Sequence, residues 1–175
     1  MAERETLREV QMRLLARLRA AEGADVAVAS WLAVECAGQR LLLPLAQAGE
    51  IFSWSGVQPV PHARSWFLGV ANLRGVLNGV IDLAVLLGSP QPRTEQALAG
   101  CALLTLGAVL EVNAALLVDR FIGLRGTQDF AGDEEPVPGA AAWIGACRLD
   151  AQGERWQIID LQTLARDAAF LNISA

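Results

Sequence analysis

The residue that most invites a chemical role is Arg74, the only cationic residue in the apolar segment 66–88. Burying an unpaired guanidinium is costly, so Arg74 must either reach water or find a carboxylate. Two carboxylates are near enough in sequence to serve, Asp82 within the segment and Glu50 at the end of the preceding apolar run. Because no nucleophile, metal-ligand cluster or phosphate-binding loop accompanies Arg74, it predicts a binding surface rather than an active site.

Other residue types that could support catalysis are too scattered to do so. The single histidine, His62, follows Pro61 in a predicted loop and lacks the cysteine or carboxylate neighbours of a common zinc site. Nothing nearby marks a nucleophile for a Ser-His-Asp or Cys-His arrangement, and no glycine-rich nucleotide-binding motif occurs. The sequence therefore predicts a protein that is not an enzyme and that needs neither a metal nor a cofactor.

Carboxylates are densest in 129–139, which is also rich in proline. Their spacing is not the alternating one that wraps a calcium ion. The segment predicts a solvated acidic loop, with electrostatic steering of a partner as the alternative. Asp82 and Asp160 each stand inside an Ile-Asp-Leu triplet, and we expect them to accept hydrogen bonds at strand ends or helix N-termini rather than to form an acid/base pair.

The bulk properties indicate a folded cytoplasmic protein. The chain has 175 residues, of which 53% are hydrophobic and 19% charged, and this excludes intrinsic disorder. A net charge of −5 argues against nucleic acid as a partner. No apolar stretch reaches the ~18 residues of a membrane span, and the first residues lack the apolar region of a signal peptide. Three cysteines without a CxxC spacing are expected to be buried thiols of a reducing compartment: Cys36, Cys101 and Cys147.

The element that positions Arg74 is predicted to be a β-hairpin. β-type runs at 67–73 and 80–86 flank Arg74-Gly75 and Asn78-Gly79, both of which are natural turn dipeptides. From residue 30 onward, other short apolar runs alternate with turn signals, a pattern typical of small barrels or a sandwich. Five tryptophans stand near strand starts and loops, where we expect core or rim packing, with an exposed interface role as the alternative: Trp31, Trp54, Trp66, Trp143 and Trp156.

Helices are predicted only at the two ends of the chain. Apolar residues recur every three or four positions over 3–22, which predicts an amphipathic helix and an N-terminal helical extension at 1–24. We expect this helix to dock on the rest of the protein, with partner docking or membrane-surface contact as alternatives. A short terminal helix is predicted from residue 161 to about residue 170.

An internal repeat divides the main domain, 30–170. Val80-Ile-Asp-Leu83 recurs 78 residues later as Ile158-Ile-Asp-Leu161, and the segment that begins at Trp66 resembles the one that begins at Trp143. Two paired matches near half the chain length predict two similar units, although chance similarity between apolar strands could also produce them. The subdomains are expected at about 30–90 and 97–160, with soft boundaries and an exchange of strands left open.

An ordered set of motifs gives the chain a family resemblance. Gly69-Val-Ala-Asn-Leu-Arg-Gly75, followed by Val80-Ile-Asp-Leu83, resembles the signature of CheW-like chemotaxis adaptor domains. The other motifs that are similar to that family, in the family's order, are 32–38, 41–45 with Glu50-Ile51, Val60-Pro61, 116–124 and 158–161. The resemblance covers about residues 30–167.

The resemblance implies two SH3-like five-stranded β-barrels and an adaptor without enzymatic activity. Such an adaptor links the cytoplasmic tip of a transmembrane methyl-accepting chemoreceptor to the regulatory domain of a CheA-type histidine kinase. It lies in the cytoplasm, is recruited to membrane-associated receptor arrays, and takes neither nucleic acid nor a small-molecule substrate. Carried over by motif, the partner-binding residues are Glu50, Gly69, Val70, Asn72, Arg74 and Gly75. We expect Arg74 and Glu50 to pair across strands.

Two details refine the resemblance. Many members have proline where this chain has Gly79, and the family pattern places the hairpin turn at Arg74-Gly75 rather than at Asn78-Gly79. The runs 48–51 and 66–69 and the helical extension resemble the adaptors of type IV pilus (twitching) systems, the PilI subgroup. A CheW-like scaffold outside chemotaxis and a small β-barrel enzyme are the alternative functions.

Overall fold

A computed structural model describes residues 29–89 and 93–175, and the predicted N-terminal helix at 1–24 lies outside these residues. The strands are β1 (Ala29–Cys36), β2 (Gln39–Pro44), β3 (Ala48–Ser53), β4 (Phe67–Leu73), β5 (Val76–Asp82), β6 (Ala102–Leu106), β7 (Ala114–Val118), β8 (Arg120–Gly126), β9 (Phe130–Glu134), β10 (Ile144–Asp150) and β11 (Arg155–Ile159). The α-helices are α1 (Leu83–Leu86), α2 (Glu95–Ala99), α3 (Leu161–Arg166) and α4 (Ala168–Leu171), and the 3-10 turns are Leu45–Gln47, Ala108–Leu110 and Thr127–Asp129.

The strands form two sheets, which confirms the expected mainly β class. The five-stranded sheet has the order β3-β6-β7-β5-β4, and the six-stranded sheet has the order β8-β1-β2-β11-β10-β9. Gln58, beyond β3, exchanges backbone hydrogen bonds of 2.8 and 2.9 Å with Val70 of β4, so the five-stranded sheet closes on itself. The other sheet has six strands instead of the expected five because 130–134 adds an edge strand.

Neither sheet coincides with a half of the chain. The five-stranded sheet takes β3–β5 from before residue 90 and β6 and β7 from after it, whereas the six-stranded sheet joins β1 and β2 to β8–β11. The subdomain boundaries at 30–90 and 97–160 therefore do not follow the sheets. Because each sheet takes strands from both halves of the chain, each is completed only when both halves are present.

The internal repeat has a structural counterpart. β4, β5 and α1 form one hairpin-helix unit, and β10, β11 and α3 form the other. In each unit the second strand also pairs in parallel with a strand from outside the unit. These pairs are β5 with β7 and β11 with β2. Asp82 N donates to Trp66 O at 2.8 Å, and Asp160 N donates to Trp143 O at the same distance. The matched sequence motifs thus occupy matched positions.

The main core lies between the two sheets. Strands such as β7 are buried at every position, because alternate side chains face opposite sides of a sheet that is covered on both. Leu116 and Val118 belong to the large cluster shared with the six-stranded sheet, whereas Ala115 and Leu117 face a smaller cluster within the five-stranded sheet. Burial on both faces explains why these strands read as continuous apolar runs.

The predicted aspartate caps are confirmed. Ala84 N donates to Asp82 Oδ1 at 3.0 Å at the start of α1, and Gln162 N and Thr163 N donate to Asp160 Oδ1 at 3.0 and 3.2 Å at the start of α3. The predicted strand at 80–86 was wrong in its bounds, since β5 runs from Val76 to Asp82 and the helix begins directly after it. A side chain that caps a helix fixes where the strand stops.

The predicted acidic loop at 129–139 was wrong for its first half, which forms β9. Arginines of β10 and β11 pair with its carboxylates: Arg148 Nη1 of β10 lies 2.7 Å from Asp133, and Arg155 Nη2 of β11 lies 2.8 Å from Glu134. The terminal helix is confirmed, but it divides into α3 and α4 because Asp167 is extended and caps the second segment. Of the tryptophans, Trp143 and Trp156 are buried, and the other three are half-buried at the edges of the core.

Candidate functional site

The hairpin tip between β4 and β5 is a two-residue turn at Arg74-Gly75, as the family pattern predicted. Leu73 pairs with Val76, and Arg74 and Gly75 have φ values of +51° and +84°. Positive φ at both central residues is what a type I′ hairpin turn requires. Asn72 Oδ1 accepts a hydrogen bond of 2.7 Å from Gly75 N and stabilises the turn. Arg74 is thereby held at the very end of the hairpin.

Arg74 forms the expected ion pair with Glu50. Arg74 Nη1 lies 2.6 Å from Glu50 Oε2, and the guanidinium carbon lies 5.8 Å from the centre of the Phe52 ring. Glu50 is fixed on β3 because its backbone N donates to Thr105 Oγ1 at 2.7 Å, and that hydroxyl donates to Glu50 O at 3.2 Å. The pair therefore spans from the hairpin tip to the edge strand β3.

The Arg74–Glu50 pair contributes little to the stability of the fold. The two side chains are 71% and 54% exposed, and exposed ion pairs of this kind contribute about 0–1 kcal/mol. Both groups are accessible to an approaching partner, whose own hydrogen bonds must offset the loss of the water that solvates them. The chemistry available here is charge-assisted hydrogen bonding to a complementary surface.

An open groove of about 550 Å³ lies beside the pair. Its lining comes from β3, the hairpin tip and the β6–β7 connection, and comprises Gly49, Glu50, Phe52, Leu73, Arg74, Val76, Asn78, Thr105, Leu106, Ala108, Glu111, Val112 and Asn113. Val76 in this lining is 47% exposed, and the adjacent Leu77 is 60% exposed. Ionic groups at the rim and exposed aliphatic side chains between them are the ingredients of a protein–protein contact.

The other four predicted site residues differ in whether they are exposed to a partner or shape the hairpin backbone. Asn72 is exposed, whereas Val70 is half-buried and bonded to the Gln58 backbone. Gly69 is buried at φ +145°, and a Cβ there would collide with the Gln58 backbone. Gly75 supplies the second positive φ of the turn. Gly69 and Gly75 thus shape the hairpin, and only side chains around them can touch a partner.

The glycine that replaces the family's proline at position 79 has a local reason. Gly79 N donates to Asn113 O at 3.0 Å, and proline has no N–H to donate. A Cβ at this position would lie 2.8 Å from the Phe67 ring. In this chain the hairpin is therefore packed against the β6–β7 connection through position 79.

A second charged cluster was missed by the sequence analysis. Arg93, in the connection between α1 and α2, is 11% exposed and pairs with Asp82 and Asp119. Asp82 was predicted to accept hydrogen bonds at a strand end or helix N-terminus and was considered as a partner of Arg74, but not of Arg93. The signal for this second role is a carboxylate inside an apolar strand, which needs a cation when it is buried. Nothing in the connection marked Arg93 as that cation.

The six-stranded sheet has a comparable groove at the corresponding end of its own hairpin. This groove, of about 700 Å³, is lined by Glu35, Gly38, Gln39, Arg40, Cys147, Gly153, Glu154, Arg155 and Gln157. Arg40 Nη1 lies 3.1 Å from Glu154 Oε2, and the Arg40 guanidinium carbon lies 5.3 Å from the Trp156 ring centre. None of these residues was predicted from the sequence to bind a partner.

Two features are absent from the described parts of the chain, a metal-binding cluster and a membrane-spanning helix. Among residues 29–89 and 93–175, no group of three or more histidine, cysteine, aspartate or glutamate side chains is placed to hold a metal ion. Over the same two ranges, no helix combines the length and apolar character needed to cross a bilayer.

Curated relatives carry names from two related systems. Protein PilI of Pseudomonas aeruginosa is 27% identical over 154 residues, which cover 85% of this chain and 83% of the relative. The chemotaxis protein CheW of Rhizobium meliloti is 27% identical over 108 residues, which cover 59% of this chain and 70% of the relative. The likeness to PilI therefore extends over more of both chains.

A solved structure and a family model complete the comparison. The scaffolding protein TtCheW of Thermoanaerobacter tengcongensis superimposes with a TM-score of 0.60 at 17% identity, over 75% of this chain and 88% of that one. At this identity the match establishes the fold, two β subdomains as in CheW. The family model described as the CheW-like domain matches residues 30–169. Because that match spans most of the chain, the protein belongs to the CheW-like domain family.

Proposed function

We propose that this protein is a non-enzymatic adaptor that couples transmembrane chemoreceptors to a CheA-type histidine kinase. The observation that carries the proposal is the Arg74–Glu50 pair at the end of a rigid hairpin, exposed and beside an open groove. Membership of the CheW-like domain family supports an adaptor role, since relatives are named as chemotaxis and scaffolding proteins. No step in this function requires bond chemistry, so exposed recognition groups are sufficient for it.

The partner-binding region is proposed to centre on Arg74, Glu50 and Asn72. The guanidinium has further N–H groups beyond the one that meets Glu50, so it can donate to a partner carboxylate without releasing Glu50. The exposed Val76 and Leu77 supply apolar area beside these charges. A partner that combines aliphatic and acidic side chains, such as the helical tip of a receptor, fits this surface.

The pathway is proposed to be type IV pilus twitching motility. The support is the likeness to PilI, which covers 85% of this chain, against 59% for the chemotaxis protein of Rhizobium meliloti. The site of action would be the cytoplasmic face of a membrane-associated receptor array, with the kinase regulatory domain and the receptor tip as the two partners.

The proposal is tested by measuring the affinity of the full chain for a purified kinase regulatory domain and for a receptor cytoplasmic fragment, by calorimetry. We expect Arg74→Ala to weaken receptor binding roughly tenfold or more, because an interface arginine that meets a carboxylate is a frequent hot spot. The matched control is Arg40→Ala, which removes the analogous Arg40–Glu154 pair and should leave receptor affinity unchanged.

A charge-reversal pair separates recognition from structure. Arg74→Glu combined with Glu50→Arg restores an ion pair with its charges exchanged. If the double variant folds and still fails to bind, the partner reads the charges themselves. If Arg74→Ala and the double variant both bind the receptor as well as the parent does, the site assignment is wrong. Binding to a receptor without binding to any CheA-type kinase would instead favour a scaffold outside chemotaxis.

A further inference from the structure

Arg93 lies where the two sheets meet. Its Nε donates to both carboxylate oxygens of Asp82, at 3.2 and 3.1 Å, at the end of β5 in the five-stranded sheet. Its Nη1 donates to Asp119, the residue between β7 of that sheet and β8 of the six-stranded sheet. The side chains of Arg93 and Asp82 are only 11% and 2% exposed. One buried guanidinium therefore holds two carboxylates from different parts of the fold.

Asp119 extends this connection into the six-stranded sheet. Its Oδ2 accepts a hydrogen bond of 2.7 Å from Ala37 N, in the turn between β1 and β2. Its own backbone N donates to Glu35 O, in β1, at 3.0 Å. A continuous series of hydrogen bonds thus runs from β5 through Arg93 to the β1–β2 turn. Charge-assisted bonds in such a buried series are stronger than bonds between neutral groups.

Two thiols face the same guanidinium from opposite sheets. Arg93 Nη2 lies 3.6 Å from Cys36 Sγ of β1, and Nη1 lies 3.4 Å from Cys101 Sγ, directly before β6. Burial raises the pKa of the Cys36 thiol to about 12 and also raises the pKa of Cys101. Both are therefore protonated and unreactive at neutral pH while the sheets stay in contact. Cys147 is also buried, but its guanidinium neighbour is Arg155.

We propose that Arg93 is an inter-sheet clamp, a positioning residue that fixes the orientation of the sheet that carries Arg74 relative to the six-stranded sheet. The physical basis is that Asp82 cannot remain buried without its cation except at a large cost in free energy. Separation of the sheets at this point must break at least one link of the series that runs from Asp82 through Arg93 and Asp119 to Ala37, so the clamp suppresses that motion. This inference is independent of the partners proposed above.

The three cysteines provide a built-in test. We would label the native full chain with N-ethylmaleimide and follow each cysteine separately by mass spectrometry. In Arg93→Gln, the labelling rates of Cys36 and Cys101 should rise roughly 100-fold relative to that of Cys147, because loss of a buried ion partner favours local opening between the sheets. The matched control is Arg120→Gln, which removes an exposed pair with Glu35 within the six-stranded sheet and should change no rate.

Asp119→Asn keeps the proposal testable if Arg93→Gln does not fold. This variant leaves the Asp82–Arg93 pair intact and weakens only the link to the six-stranded sheet, so a smaller rise of roughly tenfold is expected for Cys36 and Cys101. Unchanged labelling in the folded variants would overturn the clamp. An equal rise at all three cysteines would also overturn it, because that pattern reports a general loss of stability without a local opening.

Discussion

The β4–β5 and β10–β11 hairpins are built on the same plan and end in opposite charges. At the first tip, Arg74 reaches across to Glu50 on the edge strand β3, whereas at the second tip Glu154 meets Arg40 on β2, the strand that already pairs with β11. In both, the arginine lies near an aromatic ring. The two copies of the repeat therefore share the hairpin-helix backbone and differ in the charge at the hairpin tip.

The turns of the two hairpins are also stabilised differently. The first is a tight two-residue turn, braced by the neutral amide of Asn72. The second is longer, and the Asp150 carboxylate organises it by accepting from Gln152 N and Glu154 N, both at 2.9 Å, and from Trp156 Nε1 at 3.0 Å. A tight turn projects Arg74 rigidly, which suits a recognition residue, whereas the second turn is organised around its own carboxylate.

The largest expected contrast is between the matched glycines of the two hairpins. Gly69→Ala should destabilise the protein by about 3 kcal/mol, because φ is +145° there and a Cβ would strike the Gln58 backbone. Gly145→Ala, 76 residues later, should cost less than about 1 kcal/mol, since its nearest new neighbour is an Ile158 methyl at 3.3 Å. Urea unfolding of the two variants measures both, and equal losses would contradict the structural difference between the hairpins.

A smaller effect on stability is expected from a substitution that relieves the backbone strain at Arg74. Arg74 has a φ of +51°, and asparagine tolerates this region far better than arginine does. Arg74→Asn should therefore keep or raise stability, by up to about 1 kcal/mol, while it weakens receptor binding about as much as Arg74→Ala does. Thermal unfolding and calorimetric binding on the same sample test this separation. A loss of stability would mean that the exposed ion pair supports the fold more than its exposure implies.

The smallest expected effect is a dependence on pH at the turn of the second hairpin. Hydrogen bonds from Trp156 and from the Glu154 and Gln152 amides hold the pKa of Asp150 below its ordinary value. The stabilisation is thus present above the unfolded-state pKa, about 4, and is lost as pH falls through the lower folded value. The Trp156 Nε1–H resonance should shift in that acid range, and Asp150→Asn should remove the shift. The Asn72 amide that braces the first turn does not titrate, so its hydrogen bond from Gly75 N should stay unchanged over that range and serves as the internal control.

Much of the candidate site was predictable because its signals are local. A turn dipeptide between two β-type runs determines where the hairpin ends, and an arginine at that end can reach both water and the Glu50 carboxylate. The aspartate caps were predictable for the same reason, since a cap depends on residues two or three positions away. The sequence misplaced the start of β5, because Val76, Leu77 and Asn78 carry no alternating pattern that distinguishes strand from turn.

The missed features depend on residues far apart in the chain. Arg93 pairs with Asp82 and Asp119, 11 and 26 residues away, and a linker without periodicity gives no sign of this. The β9 edge strand was missed because acidic residues read as solvated unless their cross-strand arginines, such as Arg148, are known. Local composition cannot reveal a partner that the fold supplies.

By itself, then, the sequence determined the mainly β class, the repeated hairpin, its two aspartate caps and the exposed position of Arg74, since these follow from turn chemistry, short-range hydrogen bonds and continuous apolar runs. Only the tertiary structure decided which strands share a sheet, where the second groove lies and how Arg93 joins the two sheets. The physical reason is that strand exchange and buried ion pairs are selected by long-range burial and charge compensation, which no segment of the chain carries alone.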